Sequence, residues 1–141
     1  MARSYSQSFR IQGRDYYRAG RASTELKSAL NQIGIGPEII RRVAIAAYEA
    51  EMNVVLYARD AVMTLEVDSA SIRIKIEDNG PGIADIGLAM REGYSTATNE
   101  MRELGFGAGM GLPNIRKNAD EFKLESTVGV GTRLEITIYL N

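Results

Sequence analysis

Neither cysteine nor histidine occurs anywhere in the 141 residues. Their absence excludes disulfides, thiolate nucleophiles, zinc sites of the usual kinds, and imidazole as a base or phosphoacceptor. An excess of charge of one sign is missing as well: 17 basic and 18 acidic side chains leave a net charge of -1. No global field draws this chain onto nucleic acid or an acidic membrane, so any phosphate it holds must be held locally. No apolar run approaches the roughly 20 residues a bilayer requires, and the opening MARSYSQSFR lacks the apolar stretch of a secretory signal. The expectation is a soluble cytoplasmic protein without direct nucleic-acid or membrane contact.

What is present suffices for one core. Apolar residues make up 45% of a chain of ordinary domain length, which predicts a single domain over residues 1–141. Loose alternation over residues 6–11 predicts an edge strand, and helical spacing of alanine, leucine and long polar residues predicts a helix over 15–33. Gly34 and Gly36 end it, and Pro37 opens a second, longer helix that reaches Ala58. Residues 62–67 and 72–76 are β-branched runs forming a hairpin, followed by the turn cluster Asp78-Asn79-Gly80-Pro81-Gly82. A short helix is predicted over 85–92 and another over 112–119, with a closing hairpin of 123–127 and 133–140. Between those helices Gly93, Gly105, Gly107, Gly109 and Gly111 punctuate a stretch too rich in glycine for regular structure. Loops that long in a compact domain are disordered or act as functional lids. Helices together with antiparallel hairpins predict an α+β fold: a two-layer α/β sandwich with a mixed, largely antiparallel sheet and helices on one face.

Three elements carry candidate chemistry. On the second helix, Glu49 and Asn53 are four residues apart and so lie about 40° from one another, whereas Glu51 is turned about 200° from Glu49. A carboxylate and an amide oxygen on one helix face suit a hard cation, or a water or hydroxyl beside one. Taken alone, the pair also fits a solvated stripe. Asp78 follows a strand, where a carboxylate can accept from an exocyclic amine, and Gly80 and Gly82 permit close backbone approach to a flat ring. A tight turn closed by an aspartate is the plainer alternative. The third element is Gly105-Phe106-Gly107-Ala108-Gly109-Met110-Gly111 running into Leu112 and Pro113. Alternating glycines leave amides free to converge on an anion, and the following helix start adds partial positive charge. It is neither a Walker loop nor a dinucleotide fingerprint, and a flexible linker remains an alternative.

Order and spacing remove much of this ambiguity. Glu49-x-x-x-Asn53, then Asp78-x-Gly80-x-Gly82, then the glycine-rich 105–111 entering a helix, then Gly129-Val130-Gly131-Thr132, resembles the GHKL superfamily of ATP-binding domains over nearly the whole chain. Within it, Gly93-Tyr94-Ser95-Thr96, Tyr57-Ala58 and Leu112-Pro113 through Phe122 make the chain similar to the bacterial anti-sigma and switch serine kinases of partner-switching pathways. The resemblance implies the Bergerat-type sandwich, ATP and Mg2+ as cofactors, Glu49 as catalytic base and Asn53 as Mg2+ ligand. It further implies nucleotide contacts from Asp78, Gly80, Gly82, Gly105, Gly107, Gly109, Gly111 and Leu112, with Thr132 at the adenine edge. The implied substrate is a serine or threonine on a small antagonist protein, with a sigma factor or phosphatase as a further partner. Arg91, Arg102, Arg116 and Lys117 are near enough in sequence to the lid to add charge. The alternative from another class is a non-catalytic ATP-binding switch module that sequesters a sigma factor or activates a phosphatase.

Overall fold

The computed structural model describes residues 4–83, 86–91 and 111–140. The chain runs β1 (Tyr5–Gln12), α1 (Arg21–Gln32), α2 (Pro37–Tyr57), β2 (Asp60–Val67), β3 (Ser71–Asp78), α3 (Ile86–Ala89), α4 (Gly111–Asn118), β4 (Glu121–Thr127) and β5 (Gly131–Tyr139). The strands form one five-stranded sheet in the order β1-β2-β3-β5-β4. Every pairing in it is antiparallel, so the expected mixed sheet is wholly antiparallel among the described residues. Crossing β5 between β3 and β4 brings the end of β3 beside the start of β5, which later decides the site.

Alternation along the strands builds two unlike faces. Phe9, Ile11, Met63, Leu65, Ile72, Ile74, Ile76, Leu134, Ile136 and Ile138 are buried beneath the helices. Registers such as Phe9 opposite Met63, Leu65 opposite Ile74 and Ile74 opposite Ile136 stack them into one layer. The other face is polar and carries cross-strand ion pairs, Lys75 to Glu66 at 3.4 Å and Arg133 to Glu77 at 2.8 Å. Exposed pairs of this kind contribute at most about 1 kcal/mol each, so the apolar face carries the fold.

α2 runs for 21 residues beneath the sheet. Pro37 occupies its first turn, Glu38 lies there to complement the dipole, and Gly36 enters in an extended conformation. It is buried on most sides, through Ile40, Val43, Ala46, Ala47, Ala50, Met52, Val54 and Val55. No helix of the described residues is long and apolar enough to cross a membrane.

The helix predicted over residues 15–33 begins only at Arg21. Asp15 instead closes a local turn by accepting from the Arg18 amide at 3.3 Å, and Gly20 is left-handed at φ 95. A helix cannot propagate through that residue, so the pattern upstream of it is spent on turns. Of the short helix predicted over 85–92, Ile86–Ala89 is observed; Asp85 and Glu92 lie outside the described residues.

Candidate functional site

α2 supplies the spine of the site. Glu49 and Asn53 are both half-buried and face the first turn of α4. A Cβ placed on Gly111 would lie 3.2 Å from Asn53 Oδ1 and 3.5 Å from Glu49 Oε2. One turn along α4, the Asn114 side-chain amide donates to Glu49 Oε1 over a long 3.5 Å. Ile115, fully buried, anchors α4 in the core, so the helix start is held over the acidic pair. The backbone N–H groups of Gly111, Leu112 and Asn114 (Pro113 has none) and the positive end of the helix dipole therefore sit beside a carboxylate and an amide oxygen, a combination suited to an anion bridged by a cation.

The second half of the site lies at the C-terminal end of α2. Asp78 ends β3, and its Oδ1 accepts from the amides of Gly80 at 2.9 Å and Thr132 at 3.1 Å. Both bonds fall on Oδ1, and none to Oδ2 is made among the described residues. A Cβ on Gly80 would lie 2.8 Å from Ala58 Cα, so the Asp78 turn is pressed against the last turn of α2. Gly82, at φ 79, would place a Cβ 2.5 Å from the Thr127 carbonyl oxygen, and Gly131, at φ 150, would place one 2.0 Å from the Asp78 carbonyl oxygen. Gly80, Gly82 and Gly131 thus each let one stretch of backbone lie directly against another. No other residue allows the two turns to touch.

Hydroxyls lock these turns together. Ser126 Oγ accepts from the Ile83 amide at 2.6 Å, lies 2.9 Å from Thr132 Oγ1 and donates to the Gly131 carbonyl at 3.3 Å. Gly129 donates to the Pro81 carbonyl at 2.9 Å from the same hairpin. From Glu49 to Ala58 is about 13 Å along the helix axis. The arrangement fits an elongated ligand, with a hydrogen-bond donor on a ring at the Asp78 end and anionic groups at the Gly111 end.

The structure brings together Glu49 with Asn53 and Gly111 at one end, and Asp78 with Gly80 and Thr132 at the other, with Gly82 packed on Thr127 beside them. Leu112 is half-buried against the core. Gly105, Gly107 and Gly109, with Arg102 and the expected lid, lie outside the described residues. Arg91, Arg116 and Lys117 are exposed. A cavity of about 1100 Å³ follows β1 and meets the site at Asp78, but includes neither Glu49 nor Asn53.

Two residues escape the sequence reading, and for a third only its direction is legible. Asn114 is three positions past Gly111, a helical spacing that points at whatever Gly111 faces. Ser126 is directly opposite Thr132 in the β4–β5 register, a placement legible only once the hairpin is known. Glu51 is 2% exposed and turned away from Glu49 toward α1. Its carboxylate accepts from the amides of Gly20, Ala22 and Ser23 and from the Ser23 hydroxyl.

The donor set at Glu49 and Asn53 fits a hard divalent cation, since both offer oxygen. Among the described residues no group of three or more His, Cys, Asp or Glu converges to hold a metal. The pair would therefore leave most of a cation's shell to water and phosphate oxygens, as Mg2+ prefers.

Comparison with known proteins supports the same reading of the fold. Residues 15–138 match the histidine kinase-like ATPase domain. The chain is 33% identical over 118 residues to the serine/threonine-protein kinase RsbT of Bacillus subtilis (strain 168), covering 81% of this chain and 83% of that protein. It is 32% identical over 108 residues to the anti-sigma F factor of Thermoanaerobacter sp. (strain X514), covering 73% and 72%. The histidine kinase AdeS of Acinetobacter baumannii superposes with a TM-score of 0.52 at 18% identity, over 96% of this chain and 68% of that one, a likeness of fold alone. The match spans α1 through β5 and so includes both ends of the site: this chain belongs to the histidine kinase-like ATPase domain family.

Proposed function

We propose that the protein is an ATP-dependent serine/threonine protein kinase and anti-sigma regulatory factor that phosphorylates a small antagonist protein in a partner-switching pathway. The observation that carries this reading is the placement of Glu49 and Asn53 beneath the start of α4, with Asp78 at the far end of α2. Asp78 Oδ2 accepts from the exocyclic amine of adenine, and Gly111 and Leu112 present backbone amides to the phosphates. Asn53, with Glu49 beside it, would hold Mg2+, which when bound neutralises charge on the phosphate oxygens. Glu49 accepts the proton of the attacking serine or threonine hydroxyl. As that oxygen bonds to the γ-phosphorus, the bond to the bridging oxygen breaks and its electron pair leaves with ADP. The kinase name of one relative and the anti-sigma name of another support both halves of the proposal.

Phosphate incorporation into a candidate antagonist protein tests it. Wild type is expected to transfer, and Glu49→Gln to bind Mg-ATP yet lose transfer by about two orders of magnitude or more. Wild type that binds ATP and the antagonist without transferring phosphate would leave the second reading: a switch module that sequesters a sigma factor or activates a phosphatase. The anti-sigma name of a relative favours that alternative.

A further inference from the structure

Ser126 has a single proton and three polar neighbours, and their chemistry leaves little freedom. The Ile83 amide can only donate to it and the Gly131 carbonyl can only accept from it. The Thr132 hydroxyl, 2.9 Å away, can do either. All three contacts are made at once in one arrangement: Ser126 gives its proton to Gly131, and Thr132 gives its own to Ser126. Ser126 Oγ is then saturated, with two lone pairs and one proton all engaged. Thr132 has spent its proton and can offer a ligand only lone pairs. Asp78 Oδ2, across the same turn, is an acceptor as well, because Oδ1 is held by the amides of Gly80 and Thr132.

We infer that Ser126 is a positioning residue which, through the Thr132 hydroxyl, makes the ring end of the site an acceptor-only surface selecting a 6-aminopurine over a 6-oxopurine. The inference rests on the nucleotide reading above. A 6-amino group donates to such a surface, whereas a 6-oxo oxygen would set lone pair against lone pair. A polar group buried against an unmatched partner is rejected far more strongly than one of slightly wrong size. With Ser126→Ala, Thr132 regains a free proton, rotates and donates to a 6-oxo group.

The test is calorimetric titration of ATP and ITP, triphosphates that differ at the 6-position and in the proton the 6-oxo ring carries on N1, into wild type, Ser126→Ala and Ser126→Thr. Wild type is expected to prefer ATP, and Ser126→Ala to lose about tenfold of that preference, the equivalent of one hydrogen bond. Ser126→Thr, which keeps the hydroxyl, should retain it. A Ser126→Ala protein with native circular dichroism and a preference within threefold of wild type overturns the inference. Should that variant not fold, Ser126→Cys, close in size but with a thiol that is a weak donor and acceptor, is read the same way: a lost preference supports the inference and an unchanged one overturns it. Wild type that binds ATP and ITP equally overturns this inference alone, while wild type that binds neither overturns the nucleotide site with it.

Discussion

Glu51 and Ser23 are joined twice: one carboxylate oxygen of Glu51 accepts from the Ser23 amide at 2.9 Å and from its hydroxyl at 2.6 Å. The other oxygen accepts from the amides of Gly20 at 3.0 Å and Ala22 at 3.2 Å. α1 has no acidic residue in its first turn and no side-chain cap of its own. A residue in the middle of α2 thus caps the start of α1, and the helix two turns upstream of Ala58 is stapled to its neighbour.

Glu51→Gln should therefore destabilise the domain while leaving the chemistry alone. The amide keeps one acceptor but turns a donor toward backbone N–H groups, at a cost of about 2–4 kcal/mol. Urea denaturation is expected to show a lower midpoint with an unchanged slope. ATP affinity per folded molecule should remain at the wild-type level. A variant as stable as wild type would mean the cap contributes nothing.

Asp78→Asn should weaken ATP binding by about tenfold or more without unfolding. Asparagine Oδ1 can still accept from Gly80 and Thr132, so the turn survives. Its NH2 then faces the adenine amine, donor against donor. Equal ATP affinity in calorimetry, with a native spectrum, would remove Asp78 from the site.

Asn53→Ala should reduce the magnesium dependence of ATP binding, because it deletes the amide oxygen beside Glu49. Titrating ATP with and without Mg2+ gives the two affinities whose ratio is the readout. Wild type and variant sharing one ratio would disprove Asn53 as the ligand.

Gly111→Ala separates stability from function at a single methyl group. Alanine is the better helix former by about 1 kcal/mol in a helix interior, so no loss of stability is expected at this first position of α4. The new Cβ would press on Asn53 Oδ1 from 3.2 Å and displace it. Mg-ATP affinity should fall severalfold in a protein that melts no lower than wild type. Unchanged affinity would show that Asn53 yields without consequence.

Acid should weaken the fold through two aspartates. Asp68 is held below the usual carboxylate range by accepting from the Ala70 and Ser71 amides. Asp120 is lowered first by the Tyr139 amide and then by Arg42, opposed by burial. For groups with a depressed folded pKa, the stabilisation is fully present above the unfolded value of about 3.9 and is lost as pH falls through the lower folded value. Denaturation midpoints measured from pH 6 down to pH 2 should decline below pH 4, less steeply for Asp120→Asn. Identical acid limbs would exclude Asp120 from the linkage.

Much of this protein is written in short-range pattern. The alternation in Ala61-Val62-Met63-Thr64-Leu65 assigns faces before any partner strand is known, and a spacing of four puts Glu49 beside Asn53 on any α-helix. Asp78-x-Gly80-x-Gly82 after a β-branched run marks a turn with a carboxylate at its mouth. These features follow from the 2-residue and 3.6-residue periods of the backbone, which hold whatever the rest of the chain does.

Tertiary packing decided the remainder. Thr132 meets Asp78 across 54 residues only because β5 inserts between β3 and β4. Ser126 faces Thr132 because the hairpin register puts them opposite, and Gly111 covers Asn53 because Ile115 seats α4 in the core. Glu51 shows the limit most clearly: helical geometry says that it points away from Glu49, but not what it meets there. What it meets is the start of α1, a helix that opens at Arg21 and not near Asp15. Local periodicity sets the direction of a side chain, whereas its partner, tens of residues distant, is chosen by which elements can bury their apolar faces together.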